Sequence, residues 1–527
     1  MTIMSLPSIV KCAGLLVVLQ CGDALAAQSV KAATRAMRSA IAEIDGEPEA
    51  SDAAVAAIDA MAAYDGKRGA AALLDAAAKL VGMAAPIVEK RRKMLASEGG
   101  SGRLKRTRYE LRGVDDALTA VAVSLKRMKS EEALEVMLSR LTNRSGMLPL
   151  WIRLELAARV AELPEVKMKW RQGTKATSPD TLLSLIGVAA GLGNRAGEKC
   201  GHWLGLQLGH ANPDVRRAAA KALGVLGWAP AIELLIARLD QESGELREAF
   251  LDALTVLTGQ DPGGSKASWK AWFEVEGAAY VRGEKPLSQG KASARKKASS
   301  GDTVVGTYFG IEQMGRSILY VFDNSLSMKA KVGKAAAGQK AKDKGPTTGP
   351  ERKTRWDVCR EELATGLRGL RPDQKFNLVS FANKARCFSA DMQFATEQNV
   401  ESAIDWIASL KLELQTNVFD ALELGFQIAG RGSEDRYYAS DVDTMFFLSD
   451  GAPTIPNRTQ SGMTRDDSDR ILDAVLRWNV LGRIKVYSVG LGLQKRKTDR
   501  NKKGGLWPMI FLKKLAEQNG GRYVSRR

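Results

Sequence analysis

The sequence predicts two architectures in one chain: an α-helical half built from stacked helices, followed by a doubly wound α/β domain. In the first half, apolar residues recur at helical spacing, as in the Ala- and Leu-rich stretch 55–88, and β-branched runs are scarce. From residue 302 onward, near-continuous apolar runs, such as 317–322 and 443–450, alternate with helical patterns, such as 401–410. Such runs are typical of buried parallel strands whose two faces are covered by helices.

The boundaries between these architectures follow from length and local composition. A chain of 527 residues is too long for one ordinary core, and we expect more than one domain. Residues 27–280 carry the helical pattern. Residues 281–301 are rich in Gly, Ser, Lys and Ala without apolar periodicity, which predicts a flexible basic linker. Residues 302–527 form the predicted α/β domain, with a Lys-rich insertion at 329–354.

The segment 1–26 has the pattern of a secretory signal peptide. Lys11 precedes the short apolar run 12–21, and Ala24-Leu25-Ala26 offers an A-x-A cleavage site. The run is too short to span a bilayer, so no transmembrane span is predicted in the mature chain. We therefore expect an exported protein, located in the periplasm, at the cell surface or outside the cell.

Cysteine and histidine usage argues against two kinds of site. With only two histidines and no C-x-x-C spacing, the sequence predicts neither a thiolate nor an imidazole metal site. A lipoprotein signal at Cys21 is the weaker alternative to simple cleavage, because bulky Gln20 stands where a small residue is needed. Cleavage would leave a sparse and odd set of cysteines that does not suit a disulfide framework: Cys200, Cys359 and Cys387.

The helical half contains an internal repeat. Residues 213–227 and 244–259 superpose with an offset of 31, which aligns Arg216 with Arg247, and residues 179–193 form a looser third copy. A helical repeat of this period predicts helix pairs that bury an apolar face against their neighbours.

The motif within these repeats resembles a known pattern. Asp214-Val215-Arg216 followed by Ala222-Leu223-Gly224 is similar to the HEAT repeat, most clearly over 180–260. The resemblance implies a solenoid whose concave face can hold a second protein. Trp269 and Trp272 follow the last repeat, and we interpret them as covering the open end of the solenoid rather than as a sugar or peptide platform.

Short polar segments follow the predicted strands of the α/β domain. The stretch YVFDNSLSM at 320–328 ends an apolar run in three alternating oxygen-bearing side chains. The carboxyl ends of parallel strands meet at one edge of a sheet, which is where ligands bind in such folds. We therefore expect five side chains to meet at that edge: Asp323, Ser325, Ser327, Thr416 and Asp450.

The same five residues, in this order, resemble the metal-ion-dependent adhesion site (MIDAS) of a von Willebrand factor A (VWA) domain. That motif is D-x-S-x-S, completed by a Thr and an Asp on later loops, and all its positions are filled. The segments SDGAPT, VYSVGLG and LAEQNGGRY also occur in order at the family's usual places. The resemblance covers about 225 residues and implies a Rossmann-like VWA fold with a complete MIDAS.

The resemblance implies a role for each residue of the motif. Ser325 and Ser327 would bind the metal directly, and Thr416 would bind it directly or through water. Asp323 and Asp450 would orient bound waters and balance the charge. One open coordination position would accept an acidic side chain of a protein ligand.

The donor chemistry leads to the same class of ion. Hydroxyl and carboxylate oxygens, without His or Cys, suit a hard divalent cation, so Mg²⁺ is the expected cofactor, with Mn²⁺ and Ca²⁺ as alternatives. Two features depart from the family pattern. Leu326 stands where many relatives have Gly, and the insertion 329–354 follows the site directly. The insertion is interpreted as a disordered loop, with shielding of the metal or attraction of an acidic partner as alternatives.

The sequence lacks the motifs that three enzyme classes require. A phosphatase of the haloacid type needs D-x-D, but Ser325 stands at the second position. A serine hydrolase needs a G-x-S-x-G elbow and a general base, and both histidines lie in the helical half. A P-loop needs Gly-Lys-Ser/Thr, but Gln339 follows Gly338. No enzyme activity and no catalytic residue are predicted.

The uneven charge leaves an alternative open. Residues 282–354 hold 15 Lys and Arg against 6 Asp and Glu, and residues 494–503 hold 6 against one. Aromatic residues do not interleave with these charges, which disfavours nucleic acid as a partner.

The leading hypothesis is an exported, non-enzymatic binding protein that engages a protein ligand through its metal. The alternatives are an electrostatic scaffold for an anionic polymer, with the metal incidental, and a structural role with the site empty.

Overall fold

The computed structural model describes most of the chain. Its residues divide between two compact units, Met1–Glu89 with Lys105–Trp203 and Lys90–Leu104 with Leu204–Arg527. The predicted signal peptide and the basic stretch 494–503 lie outside the described residues, as do most of the predicted linker and insertion. The described ranges are 29–44, 48–96, 101–142, 148–162, 178–288, 306–332, 352–429, 442–450, 465–493 and 508–526.

The part of the chain before the sheet is helical, as the sequence predicts. The helices that carry the apolar periodicity are α1 (29–42), α2 (Pro48–Met61), α3 (Lys67–Ala96), α4 (Ser101–Arg127), α5 (Glu131–Thr142), α6 (Leu150–Val160), α7 (Pro179–Leu192), α8 (Gly197–Gln207), α9 (Pro213–Leu226), α10 (Ala231–Arg238), α11 (Gly244–Thr258), α12 (Lys266–Trp272) and α13 (Ala278–Val281).

The first unit buries a continuous apolar core between its helices. Fully buried members include Leu73, Val121 and Ile152, which come from α3, α4 and α6. Among the described residues, one helical segment, Lys67–Leu95, is long and apolar enough to cross a membrane by length and composition. A buried core helix meets the same criterion, so this segment is only weak evidence for a span.

The repeat predicted from the sequence has a physical basis in its helix ends and in one close contact. Asn212 begins α9 by accepting a hydrogen bond of 2.8 Å from the backbone N–H of Asp214. Gly227 ends the helix in the left-handed conformation (φ 71°). Between the ends, a Cβ at Gly224 would lie 3.2 Å from the backbone of Ala253, so glycine lets α9 and α11 pack closely. The stacked-helix prediction is confirmed for this region.

The burial of Trp269 fits the interpretation that it covers the open end of the helical repeats. Its side chain is fully buried and packs edge-on against Trp272, with the ring centroids 5.5 Å apart. A fully buried ring is not available as a platform for a sugar or peptide.

The second unit contains a sheet of seven strands, preceded by a short hairpin. The hairpin consists of β1 (Thr307–Tyr308) and β2 (Ile311–Glu312), and the sheet consists of β3 (Ser317–Asp323), β4 (Lys375–Phe381), β5 (Ala385–Cys387), β6 (Gln393–Phe394), β7 (Thr444–Ser449), β8 (Lys485–Leu491) and β9 (Tyr523–Arg526). The strand order is β5-β4-β3-β7-β8-β9, with β6 also paired to β4. Strands β5 and β6 pair antiparallel with β4, and the other pairs are parallel.

Helices cover both faces of this sheet. They are α14 (Arg355–Arg368), α15 (Glu397–Ser409), α16 (Val418–Ile428), α17 (Arg465–Trp478) and α18 (Pro508–Gln518). Leu319 and Val321 of β3 belong to the core shared with α16, α17 and α18, whereas Ile318 and Tyr320 belong to the core shared with α14 and α15. The alternation follows from the two-residue period of a strand. The doubly wound α/β class predicted from the sequence is confirmed.

The second unit also includes the last helices of the repeat region. A buried ion pair of 2.5 Å joins Arg483, before β8, to Asp214 at the start of α9. The Arg316 guanidinium donates a hydrogen bond of 2.8 Å to the Ser243 hydroxyl. The compact units therefore do not divide at the predicted linker 281–301. The domain limits proposed from composition stay a prediction.

Candidate metal centre

Strand β3 brings the first polar cluster to the carboxyl edge of the sheet. Asp323, its last residue, pairs in register with Phe381 at the end of β4 and is fully buried. The chain then turns through a short 3₁₀ segment, Leu326–Lys329, whose N-cap is Ser325. Met328 anchors the turn in the core, while Ser327 stays exposed. The sheet order changes direction at β3, which lies between β4 and β7, and such switch points are where doubly wound folds bind ligands.

Four of the five predicted residues form a hydrogen-bonded chain. The backbone N–H of Ser325 donates to Asp323 Oδ1 at 2.8 Å. The Ser325 and Ser327 hydroxyls lie 2.8 Å apart, and Ser327 Oγ donates to Asp450 Oδ1 at 2.7 Å. The other Asp323 oxygen, Oδ2, accepts a 2.8 Å hydrogen bond from Ser449 Oγ.

The fifth predicted residue, Thr416, is buried on the loop that precedes α16. This loop is joined to the serine motif through the backbone. Glu413 N donates to Asn324 O at 3.0 Å, and Leu326 N donates to Glu413 O at 2.7 Å. Gln415 has a positive φ of 72°, a rare conformation for a residue other than glycine, and such strain is concentrated at functional sites. Thr416 therefore follows, by three residues in the sequence, the point at which this loop is hydrogen-bonded to the serine motif.

The two carboxylates of the cluster have different surroundings. Burial, and then the charge of Asp450, raise the pKa of Asp323 to about 7. Asp450 is held by a cation instead: Arg355 Nη1 lies 2.6 Å from Asp450 Oδ2. The Asp450 side chain has no exposed area, and that of Arg355 is 19% exposed.

Sequence reasoning missed two residues of this cluster, Ser449 and Arg355. Ser449 stands directly before Asp450 at the end of β7, so its position next to a predicted site residue was an available signal. Arg355 begins a helix, where the dipole disfavours a cation, and this misplaced charge was the only local sign. Its partner, Asp450, is 95 residues away in the sequence.

The residues present fit a hard divalent cation. The cluster offers two carboxylates and hydroxyl oxygens without nitrogen or sulfur donors, which is the donor set of Mg²⁺, Mn²⁺ or Ca²⁺. Within the described ranges, Asn324 Oδ1 is a buried acceptor without a hydrogen-bond partner. The described residues contain no group of three or more His, Cys, Asp and Glu side chains suited to a metal. A site here would therefore depend on hydroxyl ligands.

Comparison with known proteins gives separate matches for the helical repeats and for the α/β domain. Residues 215–241, which span α9 and α10, match the family described as PBS lyase HEAT-like repeat. The chain is 24% identical over 209 residues to inter alpha-trypsin inhibitor, heavy chain 4, from Mus musculus, covering 40% of this chain and 18% of that protein. It is 23% identical over 172 residues to the human von Willebrand factor A domain-containing protein 3B, covering 32% and 11%.

A solved structure described as von Willebrand factor type A from Catenulispora acidiphila is also similar. The identity is 16%, the TM-score is 0.27, and the match covers 40% of this chain and 38% of that chain. The chain spans less than a fifth of the length of the two curated relatives. The sequence relatives and the repeat match support a VWA domain together with helical repeats.

Proposed function

We propose that the α/β domain is a metal-dependent protein-binding module. A divalent cation, Mg²⁺ before Mn²⁺ or Ca²⁺, would be held at the carboxyl edge of the sheet and would engage an acidic side chain of a protein ligand. The observation that carries this proposal is the hydrogen-bonded chain that runs through two serines between two aspartates at the ends of β3 and β7. The residues assigned to the site are Asp323, Ser325, Ser327, Thr416 and Asp450.

The chemistry of the cluster suits binding. Ser325, Ser327 and Thr416 offer neutral hydroxyl ligands, while Asp323 and Asp450 balance the charge of the cation and orient water around it. A divalent cation with few direct anionic ligands supplies an electron-poor position for a carboxylate. The buried floor of the site fixes these groups, and the exposed Ser327 keeps it accessible.

The proposal assigns no catalytic role and places the protein outside the cytoplasm. Similarity to a protein named as an inhibitor heavy chain and to one named for its VWA domain supports a binding role. The signal-peptide pattern at 1–26 supports export to the periplasm, the cell surface or the medium. The helical repeats offer a surface for a second protein partner.

The experiment that tests this function is a calorimetric titration of the full chain with Mg²⁺ after removal of metal by EDTA. Asp323→Ala and Ser325→Ala are expected to weaken binding at least about tenfold. Ser380→Ala is a matched control, because Ser380 is buried near the end of β4 and its Oγ has no hydrogen-bond partner among the described residues. Equal Mg²⁺ binding by all four proteins would rule out the site.

The electrostatic scaffold is the competing function. Much of its basic sequence lies outside the described residues, so it stays a prediction from composition. Dextran sulfate is a suitable anionic probe. Retention that persists in EDTA and collapses between about 50 and 200 mM salt would favour the scaffold, since release of counterions makes such binding steeply salt-dependent.

A further inference from the structure

We infer that Arg355 is a built-in competitor of the metal: its guanidinium neutralises Asp450 and thereby lowers the affinity of the site for a divalent cation. This inference rests on the proposed function, because it concerns the same site. It assigns Arg355 a positioning role, in which the residue sets the metal affinity by acting through Asp450. A chain without this guanidinium should bind the metal more tightly.

The first support is that both oxygens of Asp450 are already taken. Oδ1 accepts the hydrogen bond from Ser327 at 2.7 Å, and Oδ2 lies 2.6 Å from Arg355 Nη1. Any cation or bound water that engages Asp450 must share or displace one of these partners. A charge-assisted contact with a carboxylate that has no exposed area is strong, because water screens it poorly.

The second support is that the guanidinium has a fitted place. Arg355 Nη2 donates a hydrogen bond of 3.4 Å to the backbone oxygen of Gly492, the residue after β8. Gly492 has a φ of 64°, and a Cβ there would overlap the Arg355 guanidinium. The absence of a side chain at this position therefore gives the guanidinium the space it needs beside Asp450.

The third support is that an arginine at position 355 is not needed to start helix α14. Arg355 is the first residue of α14, where the helix dipole disfavours a positive charge. The helix start is completed without it: the Thr354 hydroxyl accepts from the backbone N–H of Asp357, and the Asp357 carboxylate accepts from the backbone N–H of Thr354. The ion pair with Asp450 compensates for this placement.

The backbone also ties Arg355 to the serine motif. Arg355 N donates to Ala330 O at 2.8 Å, and Val332 N donates to Lys353 O at 2.9 Å. These bonds pair the segment directly after the Ser325–Ser327 motif with the segment that begins α14. The position of Arg355 beside Asp450 is therefore fixed by the same turn that carries the proposed ligands.

These contacts define a negative coupling between two cations. When one carboxylate serves both a guanidinium and a metal site, each positive charge weakens the binding of the other, and the coupling is reciprocal. The metal-free cluster gains from Arg355, because the guanidinium offsets the repulsion between the buried Asp323 and Asp450 carboxylates. A bound metal ion weakens the contact between Arg355 and Asp450 and therefore removes part of this stabilisation.

The test compares Mg²⁺ binding to the full-length wild type, Arg355→Gln and Arg355→Lys by calorimetry, after each protein has been shown to be folded by circular dichroism. Arg355→Gln should bind Mg²⁺ at least about fivefold more tightly, the lower bound of typical coupling between sites. Arg355→Lys should give a smaller gain, because an ammonium keeps the charge but lacks the planar fork. It also keeps a positive charge in the fold if the glutamine variant does not fold.

The matched control is Arg360→Gln. Arg360 lies on the same helix and pairs with Asp357 at 2.9 Å, so its loss removes the same charge from a neighbouring position without touching Asp450. Its Mg²⁺ affinity should stay within about twofold of the wild type. A tighter Arg355→Gln together with an unchanged Arg360→Gln supports the inference.

The possible failures are distinguishable. Unchanged or weaker Mg²⁺ binding by both Arg355 variants, with clear binding by the wild type, overturns the inference and leaves the proposed function intact. A comparable gain in Arg360→Gln also overturns it, because the effect would then be one of general charge. Absence of Mg²⁺ binding in every protein overturns the proposed function itself, whereas binding that is measurable only in Arg355→Gln supports the inference.

Discussion

Ser327 donates a hydrogen bond of 2.7 Å to Asp450, although 123 residues separate them in the sequence. The contact exists because β3 and β7 are parallel neighbours, with Phe322 opposite Leu448, so their carboxyl ends reach the same edge. Because Ser327 bonds to a carboxylate and lies 2.8 Å from Ser325, its hydroxyl oxygen lies among other oxygen atoms that could also act as metal ligands. The parallel pairing of β3 and β7 therefore decides whether the two parts of the motif can meet.

The exposed Leu326 side chain should not affect the metal. The contribution of Leu326 to the motif is its backbone N–H, which donates to Glu413 O at 2.7 Å. Leu326→Ala keeps that bond. We expect the Mg²⁺ affinity to stay within about twofold and the stability within about 0.5 kcal/mol. A tenfold change in the calorimetric Kd would contradict this.

The metal-free protein should lose stability as the pH rises. Asp323 has a folded pKa of about 7, raised from 3.8 by burial and then by Asp450. A raised acid pKa means that the folded state holds the proton more tightly than the unfolded state does. The stability that this difference gives the folded protein is complete below about pH 4 and is lost as the pH rises through 7. Chemical unfolding in EDTA from about pH 4 to 8 measures this slope.

Asp323→Asn is the control for that pH series. The amide does not titrate, so the variant should show a shallower loss of stability between about pH 4 and 8. Added Mg²⁺ should stabilise the wild type more at about pH 8 than at about pH 5, because the cation binds the ionised carboxylate. The same slope in wild type and variant would show that Asp323 is not the group responsible.

Two glycine-to-alanine substitutions should have opposite effects on stability. Gly82 lies inside α3, and a Cβ at this position would meet no neighbouring atom within 4 Å, so Gly82→Ala should stabilise by about 1 kcal/mol. Gly224→Ala should destabilise by about 1–3 kcal/mol, because its Cβ would meet the Ala253 backbone at 3.2 Å. Thermal unfolding followed by circular dichroism compares them. A stabilising Gly224→Ala would mean that α9 and α11 do not pack this closely.

The buried Asp214–Arg483 ion pair should matter more than a surface pair. Arg483→Met would remove the guanidinium from the buried Asp214 carboxylate and should cost about 3–5 kcal/mol in the free energy of unfolding. Lys514→Met is the control, since Lys514 and Asp469 are 3.7 Å apart and each 41% exposed, and it should cost less than about 1 kcal/mol. Urea unfolding measures both. Equal losses would show that the Asp214 contact is not a buried pair in solution.

Local sequence patterns predicted the strands of the sheet closely. The apolar run 317–322 corresponds to Ser317–Asp323, and 443–450 corresponds to Thr444–Ser449, because buried parallel strands are apolar on both faces. The predicted helix 401–410 begins earlier, at Glu397. Its true start depends on Thr396, whose hydroxyl caps the helix by accepting from Asn399 N at 3.3 Å.

What the sequence did not predict depends on contacts between distant segments. The edge strands β5 and β6 are short and only partly buried, so they lack the apolar signature of the central strands. The pairing of Arg355 with Asp450 depends on the closure of the chain after the serine motif and on the order of the sheet. Neither leaves a periodic pattern in the sequence.

The proposed function requires that the two serines and two aspartates at the ends of β3 and β7 hold a divalent cation. Anomalous diffraction from crystals of the full chain grown with Mn²⁺ tests it most directly. We expect a manganese peak within bonding distance of the Ser325 and Ser327 hydroxyl oxygens, and its loss in crystals of Ser325→Ala. A Mn²⁺-saturated crystal with no peak at these hydroxyls, or with the same peak in Ser325→Ala, would contradict it.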